Sequence, residues 1–202
     1  MRLILVRHGE TDSNRRGLAL GRSDVALTDQ GRRQAAQVAA YLSSEPFSAI
    51  YTSPLRRTMQ TADPIAVMHG LSVHVEPRLI EMDIGELEGF SFADLRQRHP
   101  ELLWTWAGPD GPQTAMPGGE RLKDVQTRAV EAVQSLREKH SEHAICAVTH
   151  NFVILSLLAH ALGIDLAGFR RLRHALGGIT TLEIGPEESR LITLNDTCHL
   201  NP

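Results

Sequence analysis

Arg7-His8-Gly9-Glu10 follows directly on the apolar run Leu3 to Val6, so a cation and an imidazole stand where a buried strand reaches solvent. A second histidine, His150, ends another such run, AICAVT at 144–149. If both runs are strands of one parallel sheet, the two histidines project from the same edge, where ligands bind in open α/β sheets. The segment SPLRRTMQTA, beginning at Ser53, adds Arg56 and Arg57 in the first turn of a helix that follows a further strand. Guanidinium forks at that edge suit an oxyanion, and free N–H groups at the helix start would add to the same site. Any one of these residues is compatible with a solvated or structural role; together they describe a place for a phosphoryl group.

The chemistry follows from the neighbours. Cations disfavour the imidazolium, so a histidine among arginines keeps a nucleophilic lone pair at neutral pH. In-line attack on phosphorus yields a phosphohistidine, with the arginines neutralising the equatorial oxygens. The leaving alkoxide then needs a proton. The stretch RLIEMDIGELEG offers Glu81, Asp83, Glu86 and Glu88, and Glu81 is the candidate acid. It follows Leu79-Ile80 immediately, where desolvation and a nearby phosphate dianion raise a carboxyl pKa. The same acidic loop also reads as a solvated surface. No metal is required by this scheme. HExxH is absent and no cluster has ligand spacing, although His69, His74, His140 and His143 leave adventitious binding open.

Positioning these groups requires alternating strands and helices. Strand composition marks Leu3–Val6, Ser48–Thr52, Leu71–Val75 and Ala144–Val148. Between them, Thr28–Ser43 places Ala35, Val38, Ala39 and Leu42 on one helical face, and Glu120–Lys139 does so with Leu122, Val125, Ala129, Val133 and Leu136. Ser53-Pro54 offers an N-cap and a first-turn proline for a helix reaching Met68, and a further helix spans Asn151–Leu162. Thr180–Ile184 and Arg190–Leu194 read as a closing antiparallel pair. This pattern predicts a three-layer α/β/α sandwich with a mainly parallel central sheet. All 202 residues are expected in a single domain carrying a helical cap insertion at about 90–117, where Trp104 and Trp106 serve either the core or the substrate.

Composition narrows the class. With 42% hydrophobic and 22% charged residues and a formal charge of -3, the chain has no basic stripe for nucleic acid. No apolar stretch approaches the ~20 residues that span a bilayer, so no membrane partner and a cytoplasmic location are expected. Cys146 and Cys198 lack metal-type spacing and are expected to be reduced. A homodimer is left open.

These residues together resemble the histidine phosphatase superfamily, in the branch that contains cofactor-dependent phosphoglycerate mutase and many small bacterial phosphatases. Arg7-His8-Gly9-Glu10-Thr11 is similar to the family's RHGxT motif, and Gly21, Asp24, Leu27, Thr28 and Gly31 match the run that follows it. Ser53 to Ala62 is similar to SPLxRAxQTA, which selects Arg57 over Arg56. Pro117-Gly118-Gly119-Glu120 matches the PGGE loop. The resemblance implies that His8 is phosphorylated, that Arg7, Arg57 and His150 bind the phosphoryl oxygens, and that Glu81 is the acid and then the base. It also implies that Asn14 and the backbone around Gly21 and Asn151 complete the pocket, with no cofactor and a small phosphorylated metabolite as partner.

The departures bear on the substrate. Leu20 and Ile84 stand where relatives carry polar residues, and Asn151 replaces a common glycine. In place of the mutases' paired arginines, the insertion offers Arg96 and Arg98 separated by Gln97. The expected activity is hydrolysis of a small phosphomonoester, with the mutase reaction as the close alternative. A phosphate-binding regulatory module without turnover is the reading from another class, against which the intact set of five site residues argues. The ending LNDTCHL resembles that of metal-independent phosphoserine phosphatases, so His199 either approaches the site or belongs to a frayed tail.

Overall fold

The computed structural model describes residues 1–200. Its elements are β1 (Arg2–Arg7), α1 (Asp12–Arg15), α2 (Asp29–Tyr41), β2 (Phe47–Thr52), α3 (Arg56–His69), β3 (Val73–Val75), α4 (Phe92–Arg98), α5 (Pro100–Ala107), α6 (Leu122–Lys139), β4 (Ala144–Thr149), α7 (Asn151–Ala161), β5 (Ile179–Ile184) and β6 (Ser189–Asp196), with short 3₁₀ turns between them. The sheet order is β3-β2-β4-β1-β5-β6. Strands β3, β2, β4 and β1 are mutually parallel, and β5 and β6 close the sheet antiparallel.

The period-two rule of a strand explains how one short run serves two cores. In β1, Leu3 and Leu5 join the cluster built with α6 and α7, whereas Ile4 and Val6 join the one built with α2 and α3. The three layers follow from this alternation, and β1 and β4 read as near-continuous apolar runs because both their faces are covered.

Two local expectations change, and one left open is resolved. Helix α3 begins at Arg56, not at the Ser53-Pro54 cap, and its N-cap Leu55 offers no side chain to the first turn. Instead the Asp24 carboxylate accepts from the Arg56 N–H at 2.6 Å. A carboxylate from thirty-two residues upstream thereby takes an end that was expected to bind anion. The segment before Glu81 is not a strand: Leu79 ends a 3₁₀ turn over Pro77–Leu79, and Ile80 caps it. Trp106 is buried, whereas Trp104 is 84% exposed.

Candidate active site

The ends of β1 and β4 lie side by side in parallel register, with Arg7 opposite Thr149. One residue further on, the His8 N–H donates to the Thr149 carbonyl, and the His8 and His150 rings sit with centroids 5.2 Å apart. The loop after His8 is pressed onto the start of α2. A Cβ on Gly9 would lie 2.5 Å from the Gly31 carbonyl oxygen, and one on Gly31 would lie 2.1 Å from that of Glu10. Both positions therefore require glycine for close backbone approach. The Gly9 N–H donates to Thr61 Oγ1, whose hydroxyl donates to the Arg57 carbonyl, so α3 is fixed against the same loop.

This packing sets the state of His8. Its Nδ1 lies 2.8 Å from the Gly9 carbonyl, which can only accept, so Nδ1 carries the proton and Nε2 keeps its lone pair. Burial is the main reason that its pKa lies well below the ordinary histidine value, with Arg57 and Arg7 adding to the shift. His150 is held down in the same way, by burial and then by Arg57. Its Nε2 meets the Ser53 hydroxyl at 2.7 Å.

The arginines are held by backbone rather than by carboxylates. Arg57, fully buried, donates through Nη1 to the Ser23 carbonyl at 2.8 Å and through Nη2 to the Gly21 carbonyl at 2.7 Å. Arg7 donates through Nη1 to the His174 carbonyl and to Asn151 Oδ1. Burial lowers the Arg7 pKa to about 10, which leaves it charged at neutral pH. Beside His8, three buried nitrogens have no partner among the described residues: Arg7 Nε, Arg57 Nε and His150 Nδ1. A buried unpaired donor costs about 1–3 kcal/mol. Two guanidinium N–H groups and an unpaired ring nitrogen close to the His8 imidazole are groups that a bound phosphoryl oxygen would satisfy.

Glu81 is buried and its carboxyl pKa is raised by that burial, against the lowering influence of the Met82 N–H and of Arg57 and Arg7. Its position is over-determined by backbone contacts. Thr149 Oγ1 donates to the Leu79 carbonyl at 2.7 Å, and Arg128 on α6 donates to the carbonyls of Arg78, Ile80 and Glu81. Glu120 accepts from Arg128 and the Asp83 N–H and forms an ion pair with Arg22. The PGGE glutamate is thus the hub that holds the Glu81 loop. Gly119 packs so tightly there that a Cβ would lie 2.4 Å from the Asp83 carbonyl oxygen.

Arg7, His8, Asn14, Glu81 and Asn151 line one cavity, and Arg57 and His150 are fully buried beside His8. Asn14 accepts through Oδ1 from both the N–H and the hydroxyl of Thr11. Gly21 is placed elsewhere: its N–H donates to Glu88 and its carbonyl carries Arg57, so it supports the site from outside the cavity lining. Arg56 is exposed and pairs with Asp24.

Sequence reasoning missed Ser53 as a partner of His150, Glu120 with Arg128 as the clamp on Glu81, and His174. No spacing rule signalled the Glu120–Arg128 pair, since Glu120 precedes α6 and only Arg128 lies on it. His199 is neither frayed nor in the cavity. Its Nε2 meets the Gly177 carbonyl at 2.9 Å, and the Gly177 N–H donates to the carbonyls of Arg7 and His8. The C-terminal turn thus braces the backbone of Arg7 and His8 through Gly177. Among the described residues no group of three or more His, Cys, Asp or Glu side chains is placed to hold a metal ion.

Comparison with known proteins points the same way as the geometry. A model of the histidine phosphatase superfamily (branch 1) matches residues 3–197. Phosphoserine phosphatase 1 of Hydrogenobacter thermophilus is 32% identical over 99% of this chain and 94% of its own. A probable phosphoglycerate mutase GpmB of Proteus mirabilis is 36% identical over 86% of this chain and 80% of its own. Among solved structures, Bacillus stearothermophilus YhfR superposes with a TM-score of 0.92 at 30% identity, covering 99% of both chains.

Proposed function

The chain belongs to branch 1 of the histidine phosphatase superfamily and is a phosphoric monoester hydrolase, and we propose that it acts on small phosphomonoesters through a covalent phosphohistidine on His8. The observation that carries this reading is the ring of unpartnered buried donors, Arg7 Nε, Arg57 Nε and His150 Nδ1, around an imidazole whose Nδ1–H is fixed and whose Nε2 is free.

The reaction then runs in two displacements. His8 Nε2 attacks phosphorus in line, the P–O ester bond breaks, and the carboxylic proton of Glu81 moves to the departing oxygen. The Nδ1–H stays on the Gly9 carbonyl and stabilises the positive charge that forms on the ring. Arg7, Arg57 and His150 bind the equatorial oxygens, with Ser53 donating to His150 Nε2 so that Nδ1 presents its proton. Asn14 and Asn151 border the same oxygens. In the second step Glu81, now a carboxylate, takes a proton from water as the water oxygen attacks phosphorus. The N–P bond breaks, phosphate leaves, and Glu81 is protonated again.

The raised pKa of Glu81 and the depressed pKa of His8 each shift the group toward the form the first step needs. Hydrolysis of p-nitrophenyl phosphate between about pH 5 and 8 tests the assignment. His8→Ala is expected to lose at least about a thousandfold in kcat with the fold intact by circular dichroism. A His8→Ala variant as fast as wild type overturns the reading.

A further inference from the structure

The cavity that ends on His8 has a volume of about 790 Å³, more than a phosphoryl group and a three-carbon alcohol would fill. Its outer walls are apolar. Leu20 and Ile84 line the cavity together with Leu103 and Trp106 of α5, Phe152 of α7 and Phe169. The three aromatic rings form one surface, with centroids 5.5 Å apart for Trp106 and Phe169 and 6.1 Å for each of the other two pairs.

Beyond the phosphoryl end, the polar side chains lining the cavity are Arg96 and Arg170, and neither is ion-paired among the described residues. Arg96 Nε donates to the Phe92 carbonyl, and the Arg170 guanidinium lies over the Phe169 ring. The acids nearby are engaged elsewhere. Glu88 accepts from the Gly21 and Arg22 N–H groups, and Asp83 accepts from the Gly85 N–H.

These walls decide what a leaving group gains. A hydroxyl or ammonium carried onto these walls gives up water, and the side chains lining them beyond the phosphoryl end offer guanidinium donors and no carboxylate, whereas an apolar group sheds water at no such loss. An ammonium would also face two guanidiniums. Resting on the assignment of the phosphoryl end to His8, we propose that the leaving group is an extended apolar alcohol, aryl-bearing or comparable in bulk, neutral or anionic at its outer end and never ammonium. This differs from what the name of the phosphoserine phosphatase relative says of that protein.

The test compares kcat/KM for 2-phenylethyl phosphate and ethyl phosphate, whose alkoxide leaving groups are alike, so that the ratio reads the walls and not the chemistry. A preference of about 30-fold or more for the phenylethyl ester is expected. Phosphoserine is expected to fall below the phenylethyl ester as well. Leu20→Gln and Leu103→Gln, each checked for an unchanged circular dichroism spectrum, are expected to narrow the ratio. A ratio below about threefold, or phosphoserine as the best of the three, overturns the substrate class while leaving the phosphohistidine reading standing. Turnover of none of them overturns both.

Discussion

At the inner end of the cavity, polar groups are fixed by backbone. Arg57 hangs from two carbonyls, His8 from one, and Glu81 from a loop clamped by Arg128 and Glu120, all of it anchored to the ends of β1 and β4. At the outer end, apolar side chains from α5, α7 and the 3₁₀ turn that carries Phe169 pack in tilted and edge-to-face contacts. Hydrogen bonds to buried backbone are directional, and losing one orphans a partner; apolar contacts are non-directional and tolerate exchange of shape. The inner end therefore fixes the reaction, and the outer end is where its substrate can change without disturbing the chemistry.

The largest effect that sharpens this contrast is expected from Glu81→Gln. Alkyl phosphates, whose alkoxides need a proton, should lose about 10²–10⁴-fold in kcat/KM. p-Nitrophenyl phosphate, whose phenolate leaves without one, should lose far less in the first displacement. The pH profile carries the sign. In the proposed mechanism Glu81 works in that step as the protonated acid, and its pKa is raised, so kcat/KM for an alkyl phosphate should fall as pH rises through that pKa. In Glu81→Gln that descending limb should be absent. Equal losses for both ester types, or an unchanged limb, would remove Glu81 from the acid's role.

A smaller effect separates the two tryptophans of α5, of which only Trp106 lines the cavity. Trp106→Ala should cost about 3–5 kcal/mol of stability in urea unfolding, because the ring is buried against Phe152 and Phe169. Trp104→Ala, two residues earlier on α5 and 84% exposed, should stay within about 0.5 kcal/mol. If both cost the same, the aromatic wall is not part of the core.

That pair also shows what the sequence could disclose. Residues two apart on a helix do not share a face, so one tryptophan at most could pack inward, yet which one depended on where α5 lies. The inner end was far more legible. Arg7, His8 and His150 sit at the ends of apolar runs, and a strand's end fixes a side chain's place to within a residue. Arg57 and Glu81 were drawn from neighbouring candidates, and the structure supplies what separates them. Arg57 turns inward onto Gly21 and Ser23, whereas Arg56 stays outside with Asp24.

The remainder depended on long-range partners. Asp24 reaching the start of α3 and Ser53 turning to His150 join residues 32 and 97 positions apart. No local pattern signals either. Gly21 illustrates the same limit, since its motif position was legible but its role under Arg57 was not. The outer walls were the least legible, because they are assembled from five separate segments that share no period.

The central claim is that His8 Nε2 takes the phosphoryl group. Mixing the protein with ³²P-labelled 2-phenylethyl phosphate, quenching in base within milliseconds and mapping the labelled peptide tests it most directly. The account predicts a base-stable, acid-labile phosphate on the peptide containing His8, formed in a burst and absent from His8→Ala. Label on any other residue, or burst kinetics that persist in His8→Ala, would contradict it.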